Sequence, residues 1–421
     1  MSLLLKIFVA ACGCTLLLGT ARAEESTRWS LEAAIGRALE VAPEARAAAA
    51  EVAARAGELA QTRAWPNPRA EAHVGDRISL ENDTSGYDLT QYGLVQPLPL
   101  ARRGAEPRQA QAQLDAAEAK RLHDRLKLEA EVARTFHQLQ AATAKWELAR
   151  ERLQVAERFA SGDRDKTGGD RLVRYLTPLE RLRLGIIHAS ARQALDTAEG
   201  ELAEARSHFR AQLALPAGVP VPTPLAPPAV PAELSIYVAR LAQHPGMLAG
   251  RGAVAASEQG VALARARRFN DPELRIARER DIYAGREQTA TVVGVSVQVP
   301  LWNQHRGDIA RAEAEVDQAR AALAGVERDL AAQLAQSHAH LQHLIDQALH
   351  YREQVMAPTD RMYALTRRAF AAGEVNVLTL IDAHDTYFGA RERYVELSEQ
   401  AWRELAALRL AAGISVLEGA P

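Results

Sequence analysis

The chain has 421 residues, of which aromatic side chains make up 5% and charged side chains 25%, with a formal net charge of −2. A length above 400 residues ordinarily holds two or more compact domains, but so few aromatic residues favour a small number of very long helices instead. Acidic and basic residues nearly balance and form no long block of like charge, which argues against a nucleic-acid-binding protein.

The amino terminus has the pattern of a secretory signal peptide. Lys6 supplies the positive start, residues 7–18 form an apolar run, and Ala21-Arg22-Ala23 matches a cleavage site with small residues at both ends. We therefore expect residues 1–23 to be a signal peptide and the mature protein to be exported from the cytoplasm.

Both cysteines of the chain, Cys12 and Cys14, lie inside this segment. Cleavage after Ala23 would leave a mature chain without a thiol, a disulfide or a cysteine metal site. Residues 9–12 also resemble a lipoprotein cleavage box, so lipidation at Cys12 is the alternative. Beyond residue 23 no run of eighteen or more apolar residues occurs, which leaves β-strands as the means by which the chain could cross a membrane.

Residues 24–215 are predicted to form a first structural repeat. Apolar spacing and turn residues indicate a helix, a β-hairpin, a long helix and a return helix, at residues 29–63, 68–97, 106–160 and 172–215. Pro43 is expected to kink the first helix or to divide it in two.

A proline-rich segment at residues 216–232 separates the two halves and is expected to be a semi-rigid linker. Residues 233–421 then repeat the first half at an offset near 200 residues. The second repeat is predicted to hold a helix that is interrupted at Pro245, a β-hairpin, a long helix and a return helix, at residues 234–268, 272–300, 308–372 and 378–412.

The long helix of the second repeat carries a coiled-coil seam. Apolar residues recur every seven positions, with one four-residue shift, at Ile309, Val316, Leu323 and Leu330 and then at Leu334, Leu341, Ala348, Val355, Met362 and Ala369. At 1.5 Å per residue the helix would be roughly 100 Å long, more than a globular core needs. We expect Pro358 to bend this helix rather than to end it.

The second β-hairpin has one oily face, made of Thr291, Val293, Val295, Val297 and Val299. A small sheet packed on a helical body would explain this alternation. A membrane β-barrel would also explain it, since its strands need only 9 to 11 residues and expose an apolar face. Four strands are too few to close a barrel, so this second interpretation requires several chains to share one barrel.

Four histidines crowd the long helix, and two of them, His340 and His343, share a face and are weak candidates for a metal site. Histidines on a solvated helix are the alternative interpretation. No phosphate-binding glycine loop follows a strand, and no nucleophile and base have a diagnostic spacing. The sequence therefore predicts no enzyme, no catalytic residue and no cofactor.

Several motifs, in this order, resemble the TolC-like outer-membrane efflux factors, and in particular those that serve heavy-metal efflux systems of the cobalt, zinc and cadmium type. They are Trp65-Pro66-Asn67-Pro68, residues 95–100 with Arg103-Gly104, residues 300–309 with Ala312, Pro358, residues 369–375 and residues 378–383. The resemblance covers essentially the whole mature chain.

The resemblance implies a mainly α fold with a small β part. Two β-hairpins would contribute four strands to a shared twelve-stranded β-barrel of a trimer in the outer membrane of a Gram-negative bacterium. Long helical hairpins would form a periplasmic α-barrel that continues this barrel. The implied partners are two further copies of the chain, outer-membrane lipid, a periplasmic adaptor and an inner-membrane RND-type transporter, with no nucleic acid.

The resemblance also implies two kinds of functional residue. The helical hairpin tips, at residues 161–176 and 372–378, would contact the adaptor through Gly162, Asp163, Gly373, Glu374 and Val375. An insertion-like stretch at residues 163–170 departs from the family pattern in the first tip. Asp382, with Thr379 one turn earlier, would line a pore constriction that selects cations, although an ordinary solvated helix face would also explain an aspartate there.

The predicted function is that of the outer-membrane exit duct of a tripartite efflux pump for heavy-metal cations. A duct for drug efflux or for type I protein secretion is the alternative within this class. A periplasmic coiled-coil scaffold that never enters the membrane is the alternative of another class.

Overall fold

The computed structural model describes residues 29–75, 89–161, 177–215, 225–283 and 286–418. The predicted signal peptide, the turn of the first β-hairpin, most of the first helical tip and residues 216–224 of the linker lie outside the described residues. Within the described ranges, no helix has both the length and the apolar character that would let it span a bilayer.

The described residues of the first half form α1 (Leu31–Val41), α2 (Pro43–Arg63), β1 (Arg69–Gly75), β2 (Leu89–Pro97), α3 (Ala105–Ser161) and α4 (Pro178–Leu213). Helix α1 begins at Ser30, whose side-chain oxygen accepts a hydrogen bond from the backbone N–H of Ala33 at 3.1 Å. Ala42 is extended and Pro43 opens α2, because the residue before a proline is disfavoured in the helical region. Pro43 thus divides the predicted helix in two.

The second half contains α5 (Leu234–Val238), a 3₁₀ turn (Leu241–Gln243), α6 (Pro245–Ala266), β3 (Glu273–Tyr283), β4 (Arg286–Ser296), α7 (Arg306–Tyr351), a π-helical turn (Arg352–Met356), α8 (Ala357–Ala372) and α9 (Val377–Ala412). The helix predicted over 234–268 is therefore two helices with a 3₁₀ turn between them. His244, before Pro245, leaves the helical conformation, and its Nδ1 accepts the N–H of Gly246 at 3.0 Å.

The long helix does not end at Pro358, as predicted: a π-helical turn at Arg352–Met356 joins α7 to α8, which contains Pro358. A proline inside a helix has no N–H to donate, and its ring collides with the carbonyl four residues earlier. Widening the preceding turn to a π-helix relieves this conflict and lets the helix continue.

The coiled-coil seam changes register at the π-helical turn. Leu334, Leu341 and Ala348 are fully buried, as the heptad predicts, but Met362 is 41% exposed and the neighbouring Tyr363 is buried. A π-helical turn holds one extra residue and so shifts every later residue of the helix by one position on its surface. The prediction that Met362 belongs to the buried seam is wrong for this reason.

The four strands form one antiparallel sheet in the order β1-β2-β3-β4. The two hairpins meet where β2 pairs with β3, with Leu94 opposite Ile276. Helix α3 is the central support of the helical body, since it packs against α2, α4, α6 and α9. The main cores lie between helices: Phe136 and Phe209 are buried where α1, α3 and α4 meet, and Leu341 and Leu408 are buried where α7 meets α9.

Candidate functional site

The sheet has an oily face and a polar face. Ala70, Leu94, Ile276 and Val293 stand in one row across the four strands, and the last three are at least half exposed. On the other face, Arg275 donates to the side-chain oxygen of Gln91 at 3.0 Å and lies 3.6 Å from a carboxylate oxygen of Glu71. Water on the polar side and lipid on the oily side would satisfy both faces.

The residues predicted to face the membrane are all exposed: Thr291, Val293, Val295, Val297 and Val299. Strand β4 ends at Ser296, so Val297 and Val299 lie beyond the observed strand and not inside it as predicted. They continue its alternation toward Leu301 and Trp302, which are 64% and 93% exposed. A lipid-facing role for the five residues stays a prediction.

In the described part of the chain, the sheet has two outer strands with an unpaired edge, and two helices have exposed apolar faces. Among the described residues, β1 and β4 each pair with a strand on one side only. Helix α4 exposes Leu179, Leu182 and Ile186, which are 58% to 64% exposed, and helix α8 exposes Leu365 at 62%. Unpaired strand edges and exposed apolar helix faces mark surfaces that bind another protein chain.

An ion pair joins the two halves where the sheet meets the helices. Arg102, just before α3, donates to a carboxylate oxygen of Asp271 at 2.9 Å, and its Nη1 lies 3.0 Å from Glu106. No sequence pattern indicates this contact, because Arg102 and Asp271 lie far apart in the chain and neither residue belongs to a periodic pattern.

The turn from α8 to α9 is fixed by its end residues. Gly373 ends α8 in the left-handed conformation, with φ of 78°, and the backbone N–H of Glu374 donates to the carbonyl of Ala369 at 2.9 Å. Asn376 then begins α9, because its side-chain oxygen accepts the backbone N–H of Thr379 at 2.9 Å. Hydrogen bonds therefore define both ends of this turn.

The predicted tip and constriction residues lie at this turn. Gly373 and Glu374 are exposed and Val375 is half-buried, while Thr379 and Asp382 are exposed on the first two turns of α9. The hydroxyl of Thr379 lies 3.0 Å from the cap oxygen of Asn376, so Thr379 is engaged in starting the helix. Asp382 alternates with buried Ile381 and Ala383, which aims its carboxylate away from the core.

A charged contact between α3 and α9 lies one turn further on. Nη2 of Arg152 donates to Oδ1 of Asp385 at 2.8 Å, and Nδ1 of the fully buried His384 lies 3.3 Å from the same oxygen. The hydrogen bond with His384, followed by the one from Arg152, holds the pKa of Asp385 below its usual value. Sequence analysis missed this group because Arg152 comes from the other repeat.

Aromatic rings join α8 to α9 in the same region. The rings of Tyr363 and Tyr387 stack with centroids 4.5 Å apart, and the guanidinium of Arg391 lies 4.5 Å from the ring centroid of Tyr387. Nη2 of Arg391 also lies 3.4 Å from the carboxylate of Asp360. No sequence signal indicates the buried ring of Tyr363, because the heptad assigned the neighbouring Met362 to the seam.

The histidines of α7 do not assemble into a metal site. His340 is exposed and its Nδ1 lies 3.4 Å from a carboxylate oxygen of Glu404, while His343 is exposed to solvent. Across the described part of the chain, no three histidine, cysteine, aspartate or glutamate side chains come close enough together to hold an ion. Gly162 and Asp163, the predicted contacts of the first tip, lie outside the described residues.

A two-faced sheet at one end of helices as long as 57 residues, roughly 85 Å, is the architecture of a membrane-anchored duct. Comparison with known proteins agrees with this class. The model of the outer membrane efflux protein family matches residues 34–166 and 236–414. The chain belongs to this family, and it is an exit duct of the outer membrane.

Individual relatives cover most of the chain. The cobalt-zinc-cadmium resistance protein CzcC of Cupriavidus metallidurans is 24% identical over 385 residues, covering 89% of this chain and 87% of that protein. The nickel-cobalt-cadmium resistance protein NccC of Alcaligenes xylosoxydans xylosoxydans is 26% identical over 337 residues, covering 76% and 72%. The open-state structure of the Neisseria gonorrhoeae MtrE outer membrane channel superposes with a TM-score of 0.73 at 19% identity, covering 92% and 89%, and shows the shared fold.

Proposed function

We propose that the duct works as a homotrimer that discharges heavy-metal cations, supplied by an inner-membrane transporter of RND type through a periplasmic adaptor. The observation that carries the metal assignment is the similarity to CzcC and NccC, two proteins named for resistance to cobalt and cadmium, over 89% and 76% of this chain. The duct supplies no energy and no catalysis in this scheme.

The edges of the sheet support a trimer. Backbone groups that face lipid must all be paired, so a membrane sheet has to close on itself. Four strands cannot close when about eight is the smallest number known. Three chains that join β4 of one to β1 of the next would form a closed barrel of twelve strands.

The exposed apolar faces of α4 and α8 support the same assembly, because the two helices lie at opposite ends of the packing order α4-α3-α9-α8. Leu182→Asp combined with Leu365→Asp should abolish the heat-modifiable trimer on gels, since both replacements would place charges in the contact between chains. Leu122→Asp is the matched control, because Leu122 is also an exposed leucine, at 47%, but lies on α3. A trimer that survives the double replacement would contradict this contact.

Asp382 is proposed to narrow the pore at its periplasmic end and to make it selective for cations. In a trimer, three exposed Asp382 carboxylates around the axis would attract cations and repel one another. Asp382→Ala should raise the conductance of the closed duct and weaken its cation preference in planar bilayers, whereas Asp317→Ala, at an exposed aspartate on α7, should do neither. Unchanged conductance and selectivity for Asp382→Ala would end this part of the proposal.

The hairpin tips are proposed to bind the adaptor, with Gly373, Glu374 and Val375 on the second tip and Gly162 and Asp163 on the first. The turn at Gly373 supports this, because it is exposed and capped by hydrogen bonds at both helix ends. Site-specific photocrosslinking from Glu374 to the adaptor encoded beside this gene, with Asp317 as the control position, tests the contact.

Deletion of the gene and return of the intact copy test the cargo. The deletion strain should lose tolerance to cobalt, zinc and cadmium, keep its tolerance to dyes and detergents, and recover on complementation. Loss of dye and detergent tolerance alone would favour drug efflux, and loss of a secreted protein would favour type I secretion. Recovery of the mature chain in the soluble periplasm would instead support the scaffold interpretation.

A further inference from the structure

A basic cavity lies where the sheet joins the helical body. It has a volume of about 340 Å³ and is formed by the end of α2, the segment that leads to β1, the start of α3 with the segment before it, and the end of α6. Four arginines line it together with Trp65: Arg63, Arg102, Arg103 and Arg267. None of the functional residues proposed above lies here.

Two of these four arginines are not neutralised. Arg102 is engaged with Asp271 and Glu106 at 2.8 and 3.0 Å, and Arg267 lies 3.4 Å from Glu106. In the part of the chain that the structure describes, no carboxylate forms an ion pair with Arg63 or Arg103. Glu58 also lines the cavity, but it pairs with Arg55 at 2.9 Å. The cavity therefore carries two uncompensated positive charges.

Trp65 contacts one of these charges. The guanidinium carbon of Arg103 lies 4.1 Å from the centroid of the indole ring, a cation–π distance. Among the described residues no acceptor engages the side-chain N–H groups of Arg103, so these groups can donate to a ligand. A planar fork of donors matches the oxygens of a phosphate group.

The cavity adjoins the oily face of the sheet at Pro66, which lines the cavity and contacts a residue of that face. Gln96 shares its face with Leu94, and its side-chain nitrogen donates to the backbone carbonyl of Pro66, next to Trp65, at 2.9 Å. Leu100, three residues before Arg103, is 63% exposed, and Trp65 is 52% exposed. The apolar surface thus ends at the cavity, where an indole ring and arginines replace it, as at a boundary between lipid tails and headgroups.

We propose that Arg63 and Arg103 bind the phosphate of an anionic phospholipid of the outer membrane, with its acyl chains against Leu94 and Leu100. Positive charge in the cavity matches the headgroup, and the oily surface beside it matches the chains, which a free phosphate would leave unused. The inference rests on the outer-membrane placement of the chain and is independent of the exported cargo and of the gate.

Binding can be measured on the full-length protein after delipidation in a non-ionic detergent. Short-chain phosphatidylglycerol, short-chain phosphatidylcholine and inorganic phosphate are titrated separately, with the unfolding temperature and the dissociation constant as readouts. Phosphatidylglycerol should bind at least about tenfold more tightly than phosphatidylcholine, since both carry one phosphodiester charge and the choline cation of phosphatidylcholine cancels it and is repelled by the arginines. Equal binding of the two lipids, or equal stabilisation by inorganic phosphate alone, would overturn the proposal.

Variants assign the site. Arg63→Gln combined with Arg103→Gln should remove the preference for phosphatidylglycerol, and Arg103→Lys should weaken it while keeping the charge, because lysine lacks the planar fork. Arg328→Gln, at an exposed arginine far along α7, removes one positive charge away from the cavity and should change nothing. If the double variant keeps the preference, or if Arg328→Gln loses it equally, the assignment to this cavity is wrong. Metal tolerance is scored in parallel, so that failure of the lipid site is separate from failure of the export function.

Discussion

The two long helical hairpins have the same order in the chain but differ in continuity. Helix α3 runs from Ala105 to Ser161 without a break, whereas its counterpart passes from α7 through a π-helical turn into α8. The position of a proline explains the difference. Pro107 lies in the first turn of α3, where its missing N–H is not needed, and Pro358 lies deep inside the second long helix.

The hairpins also differ in how they are held. Helix α3 packs against α2, α4, α6 and α9, whereas α8 packs mainly against α9. A helix that is supported on one side and follows a π-helical turn bends more easily than one held on several sides. An internal repeat can therefore produce one stiff hairpin and one jointed hairpin, and the jointed one carries Asp382 at its tip.

The largest expected effect tests the shift in helix register at the π-helical turn, Arg352–Met356. Tyr363→Ala should lower the stability by about 3 kcal/mol or more, because it empties a buried site and removes the stack on Tyr387. Met362→Ala should cost about 1 kcal/mol or less, since Met362 is 41% exposed. The measurement is the unfolding temperature of the full-length protein at one fixed concentration. A larger loss of stability for Met362→Ala than for Tyr363→Ala would contradict the register shift and support an uninterrupted heptad.

Sequence periodicity predicted the structure well where one local pattern decides it. The heptad of α7 identifies Leu334, Leu341 and Ala348 as buried, and the alternating valines identify the oily face of β4. The heptad failed after Pro358, because the one-residue shift depends on how the backbone accommodates a proline. No local pattern could pair Arg152 with Asp385 or place Arg103 over Trp65, since these contacts depend on packing between distant or irregular segments.

The next effect concerns the contact between α3 and α9. There the buried ring of His137 on α3 stacks on Trp402 of α9 with centroids 4.3 Å apart. Burial lowers the pKa of His137 to about 4, against the partial opposition of its hydrogen bond with Gln140. The unfolded chain binds this proton near pH 6.5, so the contribution of His137 is complete above that pH and is lost as the pH falls toward 4. The loss should reach roughly 3 kcal/mol.

The measurement compares the wild-type protein with His137→Gln at pH 7.5 and pH 4.5. Glutamine cannot titrate, so the variant should lose less stability between the two pH values than the wild-type protein does. Equal losses in both proteins would show that carboxylates alone cause the acid sensitivity.

Two glycine replacements compare the hairpins directly. Gly373→Ala should destabilise by about 1 kcal/mol, because φ of 78° is strained for alanine although its methyl group would meet no atom within 4 Å. Gly185→Ala, inside α4 and equally open, should stabilise by up to about 1 kcal/mol, because alanine favours a helix. Opposite signs in the unfolding temperatures confirm the fixed turn, and equal signs would contradict it.

The smallest effect concerns the contact that ties the stiff hairpin to the jointed one. Arg152 and Asp385 are 22% and 44% exposed as side chains, so solvent screens their attraction, and we expect a coupling energy below about 1 kcal/mol. A double-mutant cycle with Arg152→Met and Asp385→Asn isolates this energy from the cost of each replacement alone. Because Arg152 helps to lower the pKa of Asp385, the coupling should weaken as the pH falls and Asp385 takes up its proton. The same cycle can be measured by conductance. A coupling seen only in stability would mean that the contact only holds α3 and α9 together. A coupling seen also in conductance would mean that the contact contributes to closing the pore at the tip.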